Sequence, residues 1–248
     1  MKLYKALDIK NREMIALVGG GGKTTAMYAL AKDLKRNKKV LISTTTAIYL
    51  PKKDQANYLI IGKDIKKIGF YLKENKVVGL GNNITVEGKL KGVDPKLLDY
   101  IFLKDYFDYI IVEADGAKHK SLKAPEHYEP VIPYESSMVL IVVGIDACGK
   151  FLNEENVHRQ QIISYITKMQ VGKKITPKMI AKVITSESGL LKGIPNHSRV
   201  FLIINKVDSK KCYADAYETA KFVREMDKGR IKNILLCNML DNNVLNIL

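Results

Sequence analysis

The sequence predicts an α/β fold with a mainly parallel central sheet. Three observations carry this. Short apolar runs alternate with longer amphipathic ones, four glycines separate the first such pair, and a later apolar run ends in carboxylates. The 248 residues are 46% apolar and 27% charged, which sets disordered and fibrous classes aside and suits a single domain over 1–248. A chain of this length needs no disulfide or metal to hold a core.

Residues 14–18 form the first expected strand. A helix over 23–36 follows, with Met27, Leu30, Ala31 and Leu34 on one face. Residues 40–43 make a second strand that runs into Thr44, Thr45 and Thr46. A short strand over 58–61 and a helix over 63–75 come next. Runs 76–80 and 84–90 suggest paired strands about Gly81-Asn82-Asn83. Pro95 sits in the first turn of a helix over 95–104.

Runs 109–112 and 138–143 are continuously apolar, as central strands are. Between them, 117–133 carries Pro125, Pro130 and Pro133 and is expected to be an irregular, functional loop. Helices over 154–169 and 176–185, a strand over 200–204, a helix over 210–226 and a strand over 231–236 complete the chain.

The first site candidate is Gly19-Gly20-Gly21-Gly22-Lys23-Thr24-Thr25, between a strand and a helix. Glycines let the backbone turn its N–H groups onto a phosphate, and the helix start adds a positive dipole end. Lys23 is then the residue for the β and γ phosphates and Thr24 the ligand for Mg²⁺. Leu17 stands where the usual GxxxxGK[ST] spacing has its first glycine, so the loop has the shorter GxxGKT form.

The second candidate is the acidic strand end, Glu113-Ala114-Asp115-Gly116. Ligands gather at the carboxyl ends of parallel strands, and Glu113 or Asp115 there can orient Mg²⁺ or the attacking water. The third is Asn205-Lys206-Val207-Asp208, an NKxD signature directly after an apolar strand. Its aspartate would accept from the N1 and N2 donors of guanine, a pair that adenine lacks, so GTP is favoured over ATP. The lysine stem lies against the base and the asparagine braces the loops. Together these features predict a P-loop NTPase-like three-layer fold.

The chain therefore resembles P-loop NTPases of the branch that holds metallochaperone GTPases, whose E-x-x-G element Glu113 to Gly116 reproduces. It is also similar to the YqeC family. VGGGGKTT, Thr44 to Thr46, EADGAK, LKAP, HYEPVIP, VVGIDACGK, ENVHR and NKVD occur in that order. The resemblance implies an accessory role in maturation of a selenium-dependent molybdenum hydroxylase, with that client or its cofactor as a partner.

Other residues are weaker candidates. Lys118, His119, Lys120, Lys123, Glu126 and His127 lie in the proline-rich loop, near the expected γ phosphate. They can hold an anionic ligand, although the lysines taken singly suit a solvated loop. His158 and Arg159 open the next expected helix. Arg159 suits a phosphate, a second subunit of a homodimer or a surface ion pair. Asp146 lies beyond a strand end, and Thr44 to Thr46 suit either a Mg²⁺ ligand or plain strand chemistry. Cys148 suits a packed turn better than a reactive thiol.

Composition narrows the remaining classes. Lysine and arginine total 41 against 26 acids, a net charge of +15, but only six are arginine, which argues against a nucleic-acid partner. Cys148, Cys212 and Cys237 form no CxxC pair, so a reducing compartment is expected. Run 14–18 is too short for a signal core, and no apolar run reaches the ~18 residues of a membrane helix. A cytoplasmic protein without a membrane partner is expected. Two alternatives to an NTPase remain: a nucleotide-gated binding module with negligible turnover, and an ATP-dependent ligase or kinase acting on a small anion.

Overall fold

Strands that are apolar on both faces need helices on both sides of their sheet. The computed structural model describes residues 1–73 and 76–248, with 63–67 in backbone terms only. Its first elements are α1 (Leu3–Ala6), β1 (Glu13–Gly19), α2 (Lys23–Leu34), β2 (Val40–Thr44), β3 (Ala47–Tyr49) and β4 (Tyr58–Ile61). A 3-10 helix (Gly62–Tyr71), β5 (Val77–Gly81), β6 (Asn83–Ile84), β7 (Lys89–Lys91), α3 (Pro95–Leu103) and β8 (Tyr109–Glu113) follow. Then come β9 (Leu122–Lys123), β10 (Met138–Gly144), β11 (Val157–His158), α4 (Gln160–Thr167) and α5 (Pro177–Thr185). The last elements are β12 (Arg199–Asn205), α6 (Lys210–Met226), β13 (Ile231–Asn238) and β14 (Asn243–Ile247).

Among the described residues the main sheet runs β14-β13-β12-β10-β1-β8-β2-β5-β4. Every neighbouring pair is parallel except β13 with β14. Alternate residues face opposite sides. Ile15, Leu17, Leu140 and Phe201 pack with Leu3, Met27 and Leu30 of α1 and α2. Ala16, Val18, Ile141 and Leu202 pack with Ile180 of α5 and Ala220 of α6. Ile110 and Val112 of β8 meet Leu98 and Ile101 of α3. The result is the expected three-layer P-loop NTPase-like fold.

The expected strand pair about Gly81-Asn82-Asn83 is not a hairpin. β5 joins the main sheet, and the hairpin is β6 with β7, closed where Thr85 N–H donates to Lys89 O over Gly88 at φ +72. The expected helix over 154–169 begins later. Residues 154–156 form a turn, 157–158 are β11, which pairs with β9 inside the proline-rich loop, and Arg159 in a left-handed conformation (φ 68) separates it from α4. Val157 is buried in the core with Leu122, a non-local contact that local helical spacing cannot reveal. The helix expected over 63–75 is a 3-10 helix as far as Tyr71, and Glu74 and Asn75 lie outside the described residues. α1, β3, β9 and β14 lie outside the expected elements, and β9 puts a short strand in the loop expected to be irregular. No helix among the described residues is long and apolar enough to cross a membrane.

Sheet order positions the site. β1 lies between β10 and β8, so the glycine loop after β1 stands beside Glu113 at the end of β8. Gly144 pairs with Asn205, which brings the end of β12 to the loop's other flank.

Candidate functional site

The loop between β1 and α2 is fixed by close backbone approaches. Gly19 adopts φ +97, and a Cβ there would stand 2.2 Å from the Val142 carbonyl oxygen. Gly22 adopts φ +137, and its Cβ would stand 2.3 Å from Asn205 Nδ2. Only glycine meets both demands. The Gly19 N–H donates to Asp115 (2.9 Å), that of Gly20 to Val142 O (2.8 Å) and that of Gly21 to Lys120 O (3.0 Å). Those amides are engaged within the fold. Gly19 and Gly20 do not line the adjacent cavity, whereas Gly21, Gly22, Lys23, Thr24 and Thr25 do. An anion there would meet the first-turn amides of α2.

The cavity measures about 580 Å³, within the range of small-molecule sites. Glu113 lies on its wall, and Glu113 Oε2 accepts from the Thr24 hydroxyl at 2.6 Å. These hard oxygen donors at a helix start fit Mg²⁺. No group of three or more His, Cys, Asp or Glu residues is arranged for a metal among the described residues. A Mg²⁺ held here would therefore take its other ligands from phosphate and water.

Lys23 does not point into the open cavity. Its ammonium donates to Gly19 O at 2.6 Å and lies 3.2 Å from Asp115 and 3.6 Å from Glu113. Burial works against its charge, but Asp115 and Glu113 outweigh this and hold its pKa above the ordinary value. Burial also lifts the Glu113 carboxyl above its usual range, against the pull of Lys23 and the Thr24 hydroxyl.

Asp115 faces inward and begins a chain of buried ion pairs. Lys123, expected in a solvated loop, is 0% exposed and lies 2.9 Å from Asp115 and 2.6 Å from Glu129. Arg159 forks onto Glu129, with Nη2 to Oε1 at 3.0 Å, and approaches Glu126 at 3.5 Å. Burial would raise the Glu129 carboxyl, yet the Arg159 and Lys123 hydrogen bonds hold it down at about 2. Burial, with Arg159 and Lys123 close by, pushes His158 down to about 4. No local periodicity marks this chain, because β9 and β11 assemble it from segments some thirty residues apart.

The third candidate forms the opposite end of the cavity. Asn205 Nδ2 donates to Gly21 O at 2.7 Å, and Asn205 Oδ1 accepts from Met239 N–H at 2.9 Å. Asn205 thus ties the glycine loop to the segment after β13. Lys206, at φ 64, donates to Ser121 Oγ at 2.7 Å and pairs with Asp146 at 3.2 Å. Asp208 is exposed on the cavity wall, near Asn238, Met239 and Leu240, residues that the sequence did not single out.

The weaker candidates separate. Thr44 Oγ1 donates to Glu113 O and Thr45 Oγ1 to Val131 O, both at 2.8 Å, so these hydroxyls brace backbone. Cys148 is packed against Ile175 O, and burial pushes its thiol up to about 11. The His127 ring, 87% exposed, lies 3.8 Å from the Glu126 carboxylate and edge-on to the Tyr128 ring.

The sheet order, the glycine loop and the adjoining Thr24–Glu113 pair define a protein of P-loop NTPase-like fold. The chain belongs to the YqeC family: the sequence profile described as "YqeC protein" matches residues 15–161. It is also similar to the "Uncharacterized protein YqeC" of Escherichia coli (strain K12), at 28% identity over 199 residues, 79% of this chain and 77% of that one. The profile match holds the loop, Glu113 and the whole ion-pair chain, and it ends before Asn205.

Proposed function

We propose that this protein binds a nucleoside triphosphate with Mg²⁺, hydrolyses it, and serves maturation of a selenium-dependent molybdenum hydroxylase. The observation that carries the nucleotide reading is the Thr24–Glu113 pair, 2.6 Å apart beside Lys23 at the cavity. Mg²⁺, when bound, supplies charge neutralisation at phosphate oxygens and orients water. Thr24 and Glu113 are the residues that would hold it. The first-turn amides of α2 bind phosphate, and Lys23 turns its ammonium from Gly19 O toward it. Asp115 positions Gly19 and Lys23 from behind. Asp208 favours guanine, with Asn205 bracing the loops. The client role rests on family resemblance.

A nucleotide-gated binding module is favoured by one observation. The buried chain ties Asp115 through Lys123 and Glu129 to Arg159 and the 117–133 loop, so a change at Lys23 reaches the surface. Hydrolysis rates with and without the hydroxylase client separate the two readings.

The test is GTP and ATP affinity in wild type, Lys23→Ala and Asp208→Ala. Removing the Lys23 charge should weaken both nucleotides by roughly 10- to 100-fold. Asp208→Ala should weaken GTP alone. Equal affinities in wild type and Lys23→Ala would overturn the nucleotide reading. An Asp208→Ala protein unchanged for both nucleotides would favour an ATP-dependent ligase or kinase.

A further inference from the structure

The cavity continues past the phosphate loop, away from Asp208, onto a wall that the nucleotide reading leaves unused. β3 and β7 pair so that Ile48 faces Leu90 and Tyr49 faces Lys89. Ile48 and Leu90 are buried, so the alternation turns Tyr49 and Lys89 outward, where both line the cavity. Tyr49 is 57% exposed, with the Lys89 ammonium 5.5 Å from its ring centre and the His119 ring stacked at 5.6 Å.

His119 and its neighbour Lys118 also line the cavity, at φ 60 and φ 45. Two consecutive non-glycine residues in the left-handed region are uncommon and concentrate at functional sites. Lys89 and Lys118 make no ion pair among the described residues. The carboxylates lining the cavity, Glu113 and Asp208, lie at the loop and at the opposite end. This wall is therefore cationic and uncompensated.

We propose that the Tyr49–Lys89–Lys118–His119 wall binds the phosphate group of a second, small phosphorylated ligand, held beside the nucleotide. Sheet order separates the two positions. From β1, the Asn205–Asp208 end lies toward β12 and β13, whereas this wall lies toward β8 and β2. The chemistry selects phosphate. It carries about −1.5 to −2 charges and three acceptor oxygens, which suit several point-charge donors. Arginine, the fork that best matches a planar carboxylate, is missing from the cavity lining among the described residues. The separation from the nucleotide rests on the nucleotide reading; the anion site itself does not.

The test uses inorganic phosphate as probe and the His119 ring resonances as readout, in protein saturated with Mg²⁺ and a non-hydrolysable GTP analogue. Ionic strength is held constant with chloride. The expected result is a saturable shift with a dissociation constant of about 1–10 mM. Lys89→Ala/Lys118→Ala should weaken it at least roughly tenfold, while its thermal melt stays that of wild type. The same titration on nucleotide-free Lys23→Ala should retain the shift, so the site can be read even if nucleotide binding fails. A response without saturation, one abolished by Lys23→Ala but kept in the double variant, or acetate matching phosphate would each overturn the proposal.

Discussion

The two ends of the cavity are built on different principles. At the glycine-loop end Lys23, Asp115, Lys123 and Glu129 are buried and hold one another through charge. At the opposite end Asn205 is tied on both sides by neutral hydrogen bonds, the Lys206–Asp146 ion pair is partly exposed, and Asp208 stands exposed without an ion pair among the described residues. The family match falls the same way, covering the first end and stopping before the second. The end beside the glycine loop is thus preorganised by the fold, and the other end presents Asp208 from a loop.

Breaking the charged end should cost most. Lys123→Ala strips a partner from both Asp115 and Glu129 in a buried setting, and should destabilise the protein by about 3–5 kcal/mol in urea unfolding. A loss below about 1 kcal/mol would mean that charge does not hold this end. The same end should be acid-sensitive. The folded pKa of Glu129 is about 2, below its ordinary 4.5. Its contribution is therefore present above pH 4.5 and is lost as pH falls toward 2. Between about pH 5 and pH 3 that amounts to a loss of about 2 kcal/mol, and Glu129→Gln should flatten this part of the stability–pH curve.

The opposite end should respond less. Asn205→Ala removes the bonds to Gly21 and Met239 and should cost about 1–2 kcal/mol, with no change in acid sensitivity. An acid response altered by Asn205→Ala would erase the contrast between the two ends. Smallest of all, Asp208→Ala should leave the unfolding free energy within about 0.5 kcal/mol of wild type, because the exposed Asp208 side chain makes no hydrogen bond or ion pair among the described residues.

The same contrast governs what the sequence made legible. Strands β1, β8, β10 and β12 announce themselves as apolar runs, and the glycines, Thr24 and Glu113 follow from their positions at strand ends. Local spacing is enough for such features. The ion-pair chain joins Asp115, Lys123, Glu129 and Arg159 through β9 and β11, two-residue strands too short to leave a period. Lys123 in sequence looks like any lysine in a basic chain; only the fold makes it a core residue. The hairpin of β6 and β7 was misplaced because Gly81-Asn82-Asn83 has turn composition, whereas the turn forms at Gly88. Tyr49, Lys89 and Asn238 reach the cavity by topology alone.

Two ammonium groups, those of Lys23 and Lys123, share the single carboxylate of Asp115. Should Lys23 swing away, Asp115 keeps a counter-ion and its grip on the Gly19 amide. Asp115 is then not left naked in a low-dielectric interior, where an unpaired anion would cost several kcal/mol. The second lysine lets the first one change partners without stripping Asp115 of its counter-ion.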